Sequence, residues 1–127
     1  MMQSVVPAAK PPDGPEPPIV YLLVRQKLTM ELGAAAMKDR EEVGAAAADY
    51  LAVAGYVCLG WCWLAAAGVA AKKLAAGDAE ADFYRAKLVT AKHYFDRILP
   101  RVDSHAAAAR AGAAGLMSLP AEHFAFA

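Results

Sequence analysis

The sequence predicts an all-α fold, and three observations carry that prediction. Alanine dominates the composition and 58% of residues are apolar, above the share of about 45–50% usual in globular chains. Alanine loses almost no side-chain entropy in a helix, so this bias favours helix over sheet. Apolar residues recur at spacings of three and four through most of the chain, and no strand-like alternation competes with them. Proline and glycine also stand where such helices should begin and end. The expected architecture is a three-helix up-down bundle with long second and third helices and a short docked C-terminal tail. It fills residues 19–127, behind a disordered Pro-rich leader at residues 1–18.

The leader comes first. Met1 to Lys10 lacks the basic-then-apolar layout of a secretory signal. Residues 11–18 read PPDGPEPP, where each proline removes a donor and fixes φ, so an extended segment is expected. The first helix is expected over Ile19 to Lys38. Ile19, Leu22, Leu23, Gln26 and Met30 share one face, with Arg25, Lys27 and Glu31 pointing outward. Gly33 weakens its end, and the charged run Lys38 to Glu42 is a solvated joint.

The second helix spans Glu42 to Leu74. Its anchors are Tyr50, Val53/Ala54, Val57, Trp61, Leu64 and Gly68. Lys72 and Lys73 place positive charge at the carbonyl end of the helix dipole. Gly77 then stops the helix and Asp78 caps the next one. Trp61 and Trp63 lie about 200° apart around a helix, since each residue turns about 100°. One of them should pack in the bundle and the other face a second surface, such as a subunit partner.

The third helix, Ala79 to Ala111, has the clearest pattern. Tyr84, Leu88, Ala91, Phe95, Ile98 and Val102 form a seam of alternating steps of four and three. Arg85, Lys92, Asp96, Arg97 and Asp103 fall largely off it. Pro100 should kink this helix unless Leu99 ends it. Gly112 and Gly115 break it, and the tail GLMSLPAEHFAFA is expected to dock Leu116, Met117 and Phe124 on the bundle.

Several function classes are disfavoured. Thirteen basic and thirteen acidic residues give zero net charge, and the basic residues are scattered rather than striped, so nucleic acid is not an expected partner. Cys58 and Cys62, one helical turn apart, have no His or carboxylate beside them in sequence. A zinc site needs about four ligands, so both thiols read as small core residues in a reducing, cytoplasmic setting. His93 and Asp96 have the spacing of an oriented base, but no nucleophile neighbours them. Tyr50, Tyr84 and Tyr94 read as packing residues with their hydroxyls at the rim. There is no glycine-rich phosphate loop, HExxH, CxxC or GxSxG. No catalytic, cofactor-binding or metal-ligating residue is assigned.

The strongest competing signal is the run YLAVAGYVCLGWCWLAAAGVAA, Tyr50 to Ala71, 22 residues without a charge. At about 1.5 Å per residue it is long enough to cross a bilayer core of about 30 Å, and two lysines follow it. The alternative reading is therefore a small single-span membrane protein with residues 50–71 as the span. Against it, Ala and Gly contribute little to insertion, and the following amphipathic helix offers a surface to bury the run.

Residues 83–124 carry a further pattern: Phe83-Tyr84, Ala86-Lys87, Tyr94-Phe95, Leu99-Pro100, Arg110-Ala111-Gly112 and Leu116-Met117-Ser118-Leu119. Upstream, residues 49–67 supply a tyrosine-to-Gly-Trp helix with Gly60-Trp61. Together these resemble the extra C-terminal helical domain of one branch of bacterial acyl-CoA dehydrogenases, that of the enzymes oxidising 3-methylthiopropionyl-CoA. The resemblance covers residues 42–126, and its motifs are packing motifs. Enzymes of that family remove hydrogens from Cα and Cβ of an acyl-CoA thioester, with a glutamate base and flavin adenine dinucleotide. The resemblance places those parts in an upstream core that nothing in this chain matches. It implies a noncatalytic assembly or docking module, a detached or truncated C-terminal domain with no flavin of its own. The expected partners are a second copy of the chain, as a dimer, or an acyl-CoA dehydrogenase core.

Overall fold

The computed structural model describes residues 18–125 and is all-helical over them. Helix α1 runs Pro18–Lys38, α2 Glu41–Ala75, α3 Ala81–His93 and α4 Arg101–Ala109. A π-helical turn, Tyr94–Ile98, joins α3 to α4, and a short α5, Ala114–Met117, and a 3₁₀ turn, Ala121–Phe124, follow. The leader expected over residues 1–18 lies outside the described residues except for Pro18. That proline opens α1, a position where its missing N–H costs nothing.

Helix α2 is the central element, with α1, α3 and α4 all packed against it. Its buried residues are Ala46, Val53, Val57, Gly60, Gly68 and Ala70. The joint before it is closed by Asp39, whose Oδ1 accepts a hydrogen bond from the Glu41 N–H at 3.0 Å. The loop after it turns at Gly77, whose φ of 71° suits a residue without Cβ. Asp78 Oδ1 then accepts from the Glu80 N–H at 3.0 Å, which launches α3.

Helix α1 buries a different face from the expected one. Tyr21 and Leu28 are buried, with Leu22, Val24 and Leu32 packed beside them. Leu23 and Met30 are 58% and 76% exposed, Gln26 is exposed, and the side chain of Ile19 lies outside the described ones. Apolar residues sit nearly all round α1, so the pattern alone left its rotation open. The rotation is fixed by partners distant in sequence. Thr29 Oγ1 and the Tyr50 hydroxyl share a hydrogen bond of 2.8 Å, and Arg110 Nε donates to Glu31 Oε2 at 2.6 Å. Arg25 and Glu31, expected to point outward, are accordingly half-buried.

The single third helix expected over residues 79–111 is divided. Its most buried residues are Ala91, Tyr94, Leu99, Val102, Ala106 and Ala109. The step of five between Tyr94 and Leu99 is the π turn, closed by the Leu99 N–H donating to the Tyr94 carbonyl at 2.9 Å. Pro100 has no N–H to continue an α-helical ladder and its ring crowds the preceding turn. One extra residue in that turn therefore moves the seam from the Phe95/Ile98 row to the Tyr94/Leu99 row. Phe95 and Ile98 remain as partly buried flanks of the core.

The tail is not docked as expected. Leu116, Met117, Leu119 and Phe124 are all exposed. Among the described residues, the tie to the bundle is at the start of this segment. Gly112, at φ 80°, turns the chain so that the Ala113 N–H donates to Glu42 Oε1 at 3.2 Å.

Candidate functional site

Among the described residues, one close acid–histidine pair stands out, and local spacing could not show it. His105 on α4 and Asp49 on α2 meet at 2.8 Å between Nδ1 and Oδ1, each about one third exposed, 56 residues apart in sequence. The Tyr56 ring lies 5.7 Å from the imidazole. His93, one turn from Asp96 and set aside as a base for want of a nucleophile, is exposed, and Asp96 pairs with Lys92. The Asp49–His105 pair pins α4 to α2. The neighbouring Ser104 hydroxyl donates to the Arg101 carbonyl on its own helix. Cys58 is nine residues from Asp49, about half a turn round α2, so its thiol points away from the pair.

Both cysteines are free and exposed, which corrects their reading as core residues. In an alanine-rich helix the small residues lie on every face, so size does not decide which of them is covered. The tryptophans divide as expected, but in the opposite sense to the anchor assigned at Trp61. Trp63 packs against the core, while Trp61 is 52% exposed. Among the described residues no group of three or more His, Cys, Asp or Glu side chains is placed to hold a metal ion.

Tyr94 carries a strongly shifted hydroxyl. Its hydroxyl donates to the Tyr56 carbonyl at 2.6 Å across the α2 interface. Burial, followed by the nearby Tyr56 hydroxyl, pushes its pKa up to about 12. The neutral phenol is thus a structural donor, not an acid poised near neutral pH. Tyr50 and Tyr84 are half-buried rim residues.

Two shallow grooves open on the surface. One, of about 180 Å³, lies between the start of α2 and α5 and is lined by Glu41, Gly44, Ala45, Ala113, Leu116 and Met117. The other, of about 360 Å³, is lined by Leu59, Cys62, Trp63, Ala66 and Lys87.

The distinctive surface is instead the outer side of α2. The helix is long and apolar enough to cross a membrane, yet only 22% of its most apolar stretch is buried inside the fold. Leu51, Leu59, Trp61 and Val69 lie exposed along it. Exposed apolar side chains also stand on α1 (Leu23, Met30, Met37) and α3 (Phe83, Val89), and α2 carries the longest row of them, a candidate interaction surface.

The comparison with curated proteins returns no match. A family model described as acetyl-CoA dehydrogenase C-terminal like matches residues 24–120, which takes in α1 from its second turn through α5. That match spans 97 of the 127 residues, so the chain belongs to the acetyl-CoA dehydrogenase C-terminal-like family.

Proposed function

We propose that the chain is a noncatalytic helical assembly and docking module, the detached C-terminal domain of a flavin-dependent acyl-CoA dehydrogenase. The carrying observation is the uncovered outer side of α2, within a domain whose family is that of a C-terminal segment of such enzymes. In this reading the reacting thioester and the flavin belong to a separate dehydrogenase core, and this chain supplies packing surface. The motifs at Tyr94-Phe95, Leu99-Pro100 and Leu116 to Leu119 favour the branch that oxidises 3-methylthiopropionyl-CoA. The proposed setting is the cytoplasm, where Cys58 and Cys62 stay reduced.

The test is to titrate the purified chain into a separately expressed acyl-CoA dehydrogenase core that lacks this domain. Native mass spectrometry reads the core's assembly and a dye-reduction assay reads its turnover. A change in subunit number or turnover that saturates at one chain per core is expected. A core unchanged in both by excess chain refutes the module, as does flavin that stays with the chain alone through purification.

The length and hydropathy of α2 favour one second reading, a single membrane span. It requires α1, α3 and α4 to leave α2, which would expose Leu28, Val53, Leu99 and Val102. A chain recovered only in the detergent fraction would replace the module with a span.

A further inference from the structure

Ten positions on the outer side of α2 form an unbroken register of alternating three- and four-residue steps: Glu41, Gly44, Ala48, Leu51, Gly55, Cys58, Cys62, Ala65, Val69 and Lys72. Every one of them is exposed. Such a register is the seam along which two helices pack side by side. Its glycines have no role inside the monomer. A Cβ added at Gly44 or Gly55 would meet nothing within 4 Å, whereas one at Gly60 would meet Leu99 Cδ1 at 3.3 Å. An interior helical glycine costs about 1 kcal/mol relative to alanine. At Gly60 the fit of Leu99 accounts for that cost, whereas at Gly44 and Gly55, as at Gly33 on α1, no contact among the described residues does.

The register is also complementary to its own reversal. Laid antiparallel about a two-fold axis between Gly55 and Cys58, it sets Gly44 against Val69, Ala48 against Ala65, Leu51 against Cys62 and Gly55 against Cys58. In three of these four pairs a larger side chain meets a smaller one, and in the fourth two alanines meet. At both ends Glu41 meets Lys72, and neither has an ion-pair partner of its own among the described residues. Antiparallel packing also opposes the two helix dipoles favourably. We propose that this seam is where a second copy of the chain docks, forming a two-fold antiparallel α2–α2 pair. This deepens the assembly reading by naming one partner.

The contact is a strip about 45 Å long and 10 Å wide, roughly half the area of about 800 Å² per partner typical of stable interfaces. The dimer is therefore concentration-dependent, with exposed Leu116 and Met117 beside Gly44 adding apolar margin.

Position-specific crosslinking reads the geometry. In the antiparallel pair the two Cys58 residues are offset by only about 4.5 Å along the axis, and the two Cys62 residues by about 16 Å. The full chain, reduced and at high concentration, is treated with a bis-maleimide that spans about 8 Å. Dimers are expected from wild type and Cys62→Ser, with at least a tenfold loss of yield in Cys58→Ser. Equal yields from the two single variants would mean a parallel or random pairing and overturn the proposal.

Gly55→Glu should abolish the crosslink without lowering the thermal melt of the dilute chain, because open space lies around that position and glutamate is the better helix former. Glu41→Lys should weaken dimerisation about five- to tenfold, and Glu41→Lys combined with Lys72→Glu should restore it. A chain that stays monomeric at millimolar concentration overturns the pairing. If it then still alters a dehydrogenase core, the assembly reading stands with the core as the occupant of this face. If its thiols are shielded only by phosphatidylcholine–phosphatidylglycerol vesicles, the occupant is lipid and the pairing is refuted.

Discussion

Leu99→Ala strikes the point where the π turn meets the central helix. Leu99 is 1% exposed, and its Cδ1 lies 3.3 Å from where Gly60 would carry a Cβ. Truncation to alanine removes the part of the side chain that fills the notch above Gly60. Buried leucine-to-alanine changes cost about 2–5 kcal/mol, the larger values where the site cannot collapse. Gly60 has no side chain to move into the void, and Pro100 restricts the backbone beside it. The expected cost is therefore about 3–5 kcal/mol, a large part of the roughly 5–15 kcal/mol that holds a domain together. Urea unfolding followed by circular dichroism reads it, and the melting temperature should fall by about 12 °C or more.

The companion variant sharpens the test. Gly60→Ala in the wild-type background gains helix propensity but crowds Leu99, so its net effect is close to zero. In the Leu99→Ala background the crowding partner is gone, and the same change should stabilise by about 1 kcal/mol. A Leu99→Ala cost below about 1 kcal/mol, or an equal effect of Gly60→Ala in both backgrounds, would refute this packing.

Tyr94 gives a pH prediction. Its pKa is near 10 in an unfolded chain and about 12 in the fold, so its contribution is fully present below pH 10 and is lost as pH rises from 10 to 12. The size is on the order of 1–2 kcal/mol, discounted for a hydroxyl at the rim. The difference in unfolding free energy between wild type and Tyr94→Phe should shift over that window, and a pH-independent difference would contradict it. Gly112→Ala places a side chain at φ 80° with its Cβ 3.4 Å from Glu42 Oε2. It should cost about 1–2 kcal/mol in thermal denaturation and release the Ala113 contact, visible as faster amide exchange there. Cys58 and Cys62 should both react with a thiol reagent in the dilute native chain at rates near those of the unfolded one. Tenfold protection of either thiol would mean that the surface is covered even in the monomer.

The helix boundaries were legible because their signals are local. Pro18, the charged run from Lys38 to Glu42, Gly77 with Asp78, and Gly112 each act through their own backbone, and the structure places turns or helix ends at all of them. Which side each helix buries was less legible. On α1 the apolar residues surround the axis, so the choice of Tyr21, Leu28 and Leu32 over Leu23 and Met30 is made by contacts with Tyr50 and Arg110. Pro100 announced an interruption, but a template of three- and four-residue steps cannot contain the five-residue step from Tyr94 to Leu99. The Asp49–His105 pair joins two helices across a long separation, and no spacing rule finds it. The exposed thiols were misplaced because a small residue in an alanine-rich helix carries little information about its own burial. The resemblance to the acyl-CoA dehydrogenase domain rested on packing motifs, and the family match agrees with it at the level of that domain.

The central claim is that the outer side of α2 binds protein in the assembly of an acyl-CoA dehydrogenase. Sedimentation velocity on a mixture of this chain with the isolated core, in detergent-free buffer, tests it most directly. The expected result is a faster boundary that contains both chains. Two boundaries that sediment independently, unchanged up to the highest soluble concentration, would contradict it.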